Sequence, residues 1–208
     1  MTTPSTHFID TQEDLDALFG ELSPASTLKE IDYLHPVYQR IIAASPFLAI
    51  ASCGPDGLDV SPRGDPAGFV MVQDEKTLLL PERRGNNRID TLRNIVQDPR
   101  VALLFLVPGI GETLRINGRA RISIEPALLA RVSMMGQLPK CALVISVETV
   151  FFQCARALQR SKLWAPRAAD EPRRVPTAGE ILAAVTEDRF DGVTYDLELP
   201  SRQKATLY

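Results

Sequence analysis

Histidine is almost missing from this chain: His7 and His35 are the only two in 208 residues. Neither stands beside a serine or cysteine motif that would build a nucleophilic triad. No paired-histidine spacing or paired-carboxylate motif appears, which disfavours metal-assisted hydrolysis, and no metal is expected. Tryptophan occurs once, at Trp164, and cysteine three times, at Cys53, Cys141 and Cys154, too widely spaced for a metal-type pairing. Such thiols pack as small hydrophobes and fit a reducing compartment. No apolar run nears the ~18 residues of a membrane span. Met1–Asp10 also lacks the basic start and apolar middle of a secretory signal. The expectation is a cytoplasmic protein with no membrane partner. Net positive charge is lacking too. The formal charge is −3, which gives no reason to expect nucleic acid as a partner, so the arginines need a local explanation.

What the chain does have is an ordinary globular balance, 45% hydrophobic and 24% charged, over a length suited to one domain with terminal extensions. Three regions are expected: an N-terminal helical extension over 1–45, a main domain over 46–164, and a C-terminal linker, helix and tail over 165–208. Acidic residues and apolar spacing predict a short helix over Thr11–Phe19. Leu28, Ile31, Leu34, Tyr38, Ile41 and Ile42 recur near helical period up to Ser45-Pro46, with His35-Pro36 a possible interruption.

From Phe47 the pattern shortens to strands. Phe47–Cys53 and Leu58–Ser61 flank an Asp-Gly hairpin turn, and Ala67–Gln73 and Thr77–Leu80 flank Asp74-Glu-Lys76. Gly85–Gln97 reads as a helix with Ile89, Leu92, Ile95 and Val96 on one face. Val101–Val107 and Thr113–Ile124 read as strands, with Gly118 suited to a bend or bulge. A short helix from Pro126 through Met135, a strand Cys141–Glu148 and a helix Phe151–Trp164 follow. Ala165–Pro176 reads as a linker, Ala178–Glu187 as a helix, and Tyr195–Tyr208 as a tail lying on a surface or a partner subunit. Six or seven short strands in hairpin order, with helices at the edges, predict a mainly β protein with peripheral α elements, built as a β-barrel.

Two strings at strand ends point to a ligand. They are Asp59-Val-Ser-Pro-Arg-Gly-Asp-Pro-Ala-Gly68 and Pro81-Glu-Arg-Arg-Gly-Asn-Asn-Arg88. Arginines, hydroxyls, amides and glycines collected there suit gripping a phosphate while the backbone approaches a flat ring. Arg63 can fork onto phosphate oxygens. Ser61 could reach a phosphate, a polyol chain or a ring edge, or could simply end its strand. Gly64, Gly68 and Gly85 allow close backbone approach. Asn86 or Asn87 would cap a helix whose N-terminal amides add to anion binding. Arg83, Arg84 and Arg88 are each also explained as surface arginines.

These strings resemble the pyridoxamine 5′-phosphate oxidase-related, FMN-binding split-barrel family. Gly85-Asn-Asn-Arg88, Asp98-Pro-Arg-Val101, Leu114-Arg-Ile-Asn-Gly-Arg-Ala120 and Arg160-Ser-Lys-Leu-Trp164 share the likeness, which runs from about Leu28 to Trp164. The resemblance implies a split barrel, an FMN cofactor, and a homodimer with its flavin sites at the interface. It implies a cofactor site drawn from Ser61, Pro62, Arg63, Gly64, Pro81, Arg83, Arg84, Gly85, Asn86, Asn87 and Arg88. Thr113 occupies about where the family has a residue near the flavin ring, and Arg115 shares its strand face. In related proteins late basic and aromatic residues approach FMN across the dimer, which here brings in Arg160, Ser161, Lys162 and Trp164. Helix-dipole compensation and packing explain those four equally well.

The implied function is a flavoprotein passing hydride or electrons between a small substrate, or NAD(P)H, and oxygen or another acceptor. The alternative is a non-catalytic FMN store or sensor. Pyridoxamine 5′-phosphate oxidation itself is not implied, because the late Arg-x-His substrate element has no counterpart after Trp164. No residue declares itself a catalytic acid or base, and the substrate stays unidentified.

Overall fold

The computed structural model describes residues 7–166, 172 and 175–207. Three short helices come first: α1 (Gln12–Phe19), α2 (Pro24–Leu28) and α3 (Pro36–Ala44). Thr11 caps α1 by accepting the Asp14 amide. α2 and α3 both start on proline, which needs no amide partner in a helix's first turn. The periodic stretch from Leu28 to Ile42 is therefore not one helix. His35 precedes Pro36 and is held out of the helical region, while Ile31 bridges Val150.

Seven strands follow: β1 (Phe47–Gly54), β2 (Gly57–Gly64), β3 (Met71–Asp74), β4 (Thr77–Pro81), β5 (Arg100–Leu106), β6 (Thr113–Ser123) and β7 (Ala142–Gln153). Helix α4 (Asp90–Gln97) precedes β5, and α5 (Pro126–Arg131) lies between β6 and β7. The sheet order is β2-β1-β5-β6-β7-β4-β3, antiparallel throughout. This is the expected mainly β split barrel with peripheral helices. Its inner side is filled by alternate residues such as Leu48 and Ile50, Leu103 and Phe105, and Leu114 and Ile116. Each such side chain contributes roughly 1.5–3 kcal/mol on burial. Tyr38 and Ile42 of α3 and Ile95 of α4 close the barrel's ends. The run Leu78-Leu79-Leu80 is buried on both faces: Leu78 and Leu80 join the main core, and Leu79 packs beneath Leu128 and Leu129 of α5.

Several expected boundaries move. The helix expected from Phe151 to Trp164 is instead the end of β7 followed by α6 (Arg156–Ser161). β6 is long enough that Thr113 and Arg115 need ladder partners, and Gln153 and Phe151 supply them. The helix expected from Gly85 begins only at Asp90, and the one from Pro126 ends at Arg131. The strand expected from Ala67 begins at Met71, because Phe69 closes a turn onto the Pro66 carbonyl. The tail is mostly helix: α8 (Gly192–Ala205) packs against α7 (Ala178–Val185) where Gly179 and Gly192 meet backbone to backbone. Asp196 accepts the Gly179 amide at 2.8 Å and the Thr177 hydroxyl, fastening the pair. The expected linker Ala165–Pro176 and the stretch Met1–Asp10 lie partly outside the described residues. Among the described residues no helix is long and apolar enough to cross a membrane.

Gly118 does mark a bulge, where the β6–β7 register shifts between Asn117 and Gly118. A Cβ there would stand 2.2 Å from the Ser146 carbonyl oxygen, so backbone would have to move. Gly118→Ala should destabilise the fold by ~1–3 kcal/mol. Gly85→Ala, at a position open to space, should not. Urea midpoints of the two variants test this.

Candidate functional site

The site begins with the register of the β1–β2 hairpin. Asp59, Ser61 and Arg63 stand opposite Ser52, Ile50 and Leu48, all three buried. Alternation therefore turns three polar side chains toward the barrel's inner side along its open edge. β4 arrives across the split, and Pro81 leads into the loop Glu82–Ile89 and then α4. Together they enclose a cavity of about 540 Å³.

All but one of the arginines inside it are paired. Arg63 donates from Nε to Glu82 Oε2 at 3.2 Å and from Nη1 to the Pro62 carbonyl at 2.9 Å, and its Nη2 lies 3.2 Å from the same Glu82 oxygen in the ion pair. Arg83 Nε donates to Asp65 Oδ2 at 2.6 Å, and the Asp65 side chain is only 1% exposed. Arg88 Nε donates to Asp90 Oδ2 at 2.8 Å in an exposed pair that holds the guanidinium pKa above its usual value. Arg84 has no ion-pair partner among the described residues. On the opposite wall the buried Thr91 hydroxyl donates to Asp59 Oδ2 at 3.3 Å and Ser61 Oγ donates to the same oxygen at 3.2 Å. Burial pushes the Glu82 carboxyl above the ordinary carboxylate range, and Arg63 pulls against that shift. Burial also raises the Cys141 thiol, with the Glu82 charge adding to it.

Of the residues expected at the site, Ser61, Pro62, Arg63, Gly64, Pro81, Arg83, Arg84, Gly85, Asn86 and Arg88 line this one cavity. Asn87 lies just beyond, on an adjoining cleft of about 740 Å³ floored by Leu92 and Pro139 and edged by Lys140. The remaining six sit elsewhere in the subunit. Thr113 is buried at the start of β6, and the Arg115 guanidinium lies 5.1 Å from the centre of the Phe151 ring. Arg160 is in the last turn of α6, where Ser161 Oγ donates to the Leu158 carbonyl. Lys162 is the left-handed C-cap, and Trp164 Nε1 donates to the Ile110 carbonyl at 2.8 Å.

Neither Asn86 nor Asn87 caps a helix. Asn86 Oδ1 accepts the Arg88 amide at 3.1 Å inside the loop, and Ile89, in the left-handed region at φ +53°, occupies the N-cap position. Only Gly68 among the three expected glycines needs its freedom, at φ +88°. Sequence reasoning passed over the carboxylates Asp59, Asp65, Glu82 and Asp90 and the hydroxyl of Thr91. Four of these five lie within two positions of a residue already singled out, so the signal was charge alternation around each arginine.

Residues 34–154, more than half of the chain, match the family model described as pyridoxamine 5′-phosphate oxidase. The chain belongs to that family. Solved structures similar to it include HupZ of Group A Streptococcus, 21% identical over 58% of this chain and 99% of that one, with a TM-score of 0.47. A Lactobacillus delbrueckii protein named for pyridoxamine 5′-phosphate oxidase is 21% identical over 58% and 95% of the two chains, with a TM-score of 0.46. An FMN-binding protein from Syntrophomonas wolfei is 10% identical over 54% and 80%, with a TM-score of 0.42. Among curated proteins none matches the chain.

The ion pairs differ in what their loss should do. Arg83→Ala removes a charge-assisted hydrogen bond from a carboxylate only 1% exposed and should destabilise the protein by ~1.5–3 kcal/mol. Arg88→Ala breaks an exposed pair and should leave the unfolding midpoint nearly unchanged. Thermal and urea melts of the two variants, compared side by side, measure the contrast.

Proposed function

We propose that the cavity between β2 and the Glu82–Ile89 loop holds the phosphate end of FMN, and that the protein is an FMN-dependent oxidoreductase. The arginine-lined wall carries this reading. Arg63 and Arg83 are fixed on opposite sides of the split, Arg84 has no competing carboxylate, and Arg88 stands at the start of α4. The donor set fits a phosphate: planar forks at the mouth, and hydroxyls of Ser61 and Thr91 on the facing wall suited to a polyol chain. The charge balance is tighter than the sequence suggested, since three of the four guanidinium groups pair with Glu82, Asp65 and Asp90, and Asp59 adds a fourth carboxylate. Membership of the pyridoxamine 5′-phosphate oxidase family and the FMN-binding name of the Syntrophomonas protein agree with a flavin.

Bound FMN would supply hydride or electron transfer, so the protein's part is to bind and orient it. Arg63 anchors the phosphate, with Arg84 and Arg88 as further cations. Pro62, Gly64 and Pro81 shape the cavity without adding charge. The substrate is a small molecule of unidentified class, with oxygen or another acceptor closing the cycle. Storage or sensing of FMN would use the same binding residues. Photoreduction, air reoxidation and a screen with NADH and NADPH separate the two.

A homodimer belongs to the proposal. The outer face of β2, β1 and β5 presents Leu58 and Val60, 84% and 66% exposed, beside Ala51, Ala102 and Leu104. A second copy would cover this face, since two-fold homodimers are the commonest assembly. Arg115, Phe151 and the α6 residues through Trp164 would then be available to a partner's cavity, although they stand apart from the cavity beside β2 in their own subunit.

Purified protein should take up FMN and bind riboflavin far more weakly, because each charged phosphate contact is worth ~1.5–3 kcal/mol. Arg63→Ala should weaken FMN binding and leave riboflavin binding alone. An equal loss for both ligands would assign Arg63 to the fold instead. FMN should also quench the single Trp164, and light scattering should give twice the 22.9 kDa chain mass. Unquenched Trp164 at saturating FMN, or a monomer mass, would remove the interface from the proposal.

A further inference from the structure

We infer that Glu82 is a specificity-determining residue: its carboxylate stands in for the ligand's phosphate on Arg63, and phosphate binding displaces it with uptake of one proton. The inference rests on the FMN reading above and goes beyond it by assigning the site its selectivity for a phosphate dianion.

The geometry points to exchange rather than to a permanent pair. Arg63 offers a fork, but Nε and Nη2 converge on one oxygen of Glu82, each at 3.2 Å. Charge-assisted bonds of this type settle nearer 2.7–2.9 Å, and the strong arrangement uses two acceptor oxygens on two donors. A phosphate presents two oxygens to the fork, so it satisfies Arg63 better than Glu82 does. A singly charged group resembling the carboxylate gains little by the swap. Glu82 thus sets a threshold that favours the dianion.

Around the displaced Glu82 stand Arg83, Arg84 and Arg88 of its own loop and Lys140, which edges the adjoining cleft that Glu82 also lines. The Glu82 side chain is 20% exposed. Arg63 faces it from β2 and the Cys141 thiol from the segment before β7. Neighbouring Arg83 is committed to Asp65. Arg84, Arg88, Asp59 and Asp90 share the cavity, and a bound phosphate draws the first two to itself. Burial already favours the neutral carboxyl of Glu82, and Arg63 is the group that opposes this. Moving Arg63 onto a phosphate removes that opposition and adds a nearby anion, both of which favour the neutral acid. The proton comes from solvent, and Glu82 passes from carboxylate to carboxylic acid while the phosphate keeps its charge.

The sign follows. Glu82 has a higher pKa in the complex than in the free protein. Between those two values FMN affinity falls as pH rises, by up to tenfold per pH unit for one proton. Below the lower value this dependence vanishes. FMN's own phosphate ionisation acts in the opposite sense near pH ~6, and riboflavin lacks it.

Calorimetry of FMN binding at several pH values between about 5 and 8, in buffers of different ionisation heat, reads the proton directly on the unmodified protein. Net uptake is expected with FMN and none with riboflavin. Glu82→Gln keeps the shape and an acceptor oxygen but no charge. It should bind FMN about tenfold or more tightly at pH 8, lose the uptake, and leave riboflavin affinity unchanged. No uptake by the unmodified protein, or equal FMN affinity in Glu82→Gln, overturns the inference while leaving FMN as the ligand. Failure of both proteins to bind FMN overturns the FMN reading and this inference with it.

Discussion

Two crossed ion pairs span the split in this barrel, and the candidate site depends on them. Arg63, at the end of β2, reaches Glu82 just beyond β4, and Arg83, next along, reaches back to Asp65. β2 and β4 are far apart in the sheet order, so no ladder holds these ends together. The ion pairs fix the separation of the two walls, and with it the width of the cavity. Arg83–Asp65, with its carboxylate nearly removed from water, is the structural member. Arg63–Glu82, with longer bonds to a single oxygen, is the member a ligand can open.

This division resolves an apparent conflict. A cavity built for phosphate would be expected to carry excess positive charge, yet carboxylates pair with all but one of its arginines. Unpaired guanidinium groups crowded into a half-buried cleft would repel one another and lose solvation. Internal carboxylates relieve both costs until a ligand arrives. The same pairing pre-orients the Arg63 fork, so less side-chain freedom is lost on binding. Register makes this possible: a one-residue slip of β2 against β1 would send Asp59, Ser61 and Arg63 to the outer face and bring Leu58 and Val60 inward.

Much of the fold was legible because its signals are local. The Asp56-Gly57 turn, the alternation in β1 and β5 and the glycine bulge at Gly118 each follow from short-range chemistry, and β1, β4, β5 and β6 fall within a residue of where those signals put them, whereas β2 runs on past Ser61 to Gly64. Failures came where a partner distant in sequence decides. Phe151–Gln153 are strand because Thr113–Arg115 require a neighbour, which no window around Phe151 reveals. Asn86 and Asn87 are sound helix caps by propensity, yet the loop's turn consumes Asn86 and α4 starts later. At the site, ten of the eleven residues expected from the two strand-end strings gather on one cavity, because both strings sit at ends that the barrel brings together. Their carboxylate partners were harder to see, since pairing across 18 or 19 residues leaves no periodic trace.

The most direct test of the central claim is a crystal structure of the protein grown with FMN. The phosphate should lie within hydrogen-bond distance of the Arg63 guanidinium, in the cavity between β2 and the Glu82–Ile89 loop, with Glu82 turned away from Arg63. FMN density elsewhere, such as in the Gln137–Cys141 cleft, or a phosphate in the cavity with the Arg63–Glu82 pair intact, would contradict it.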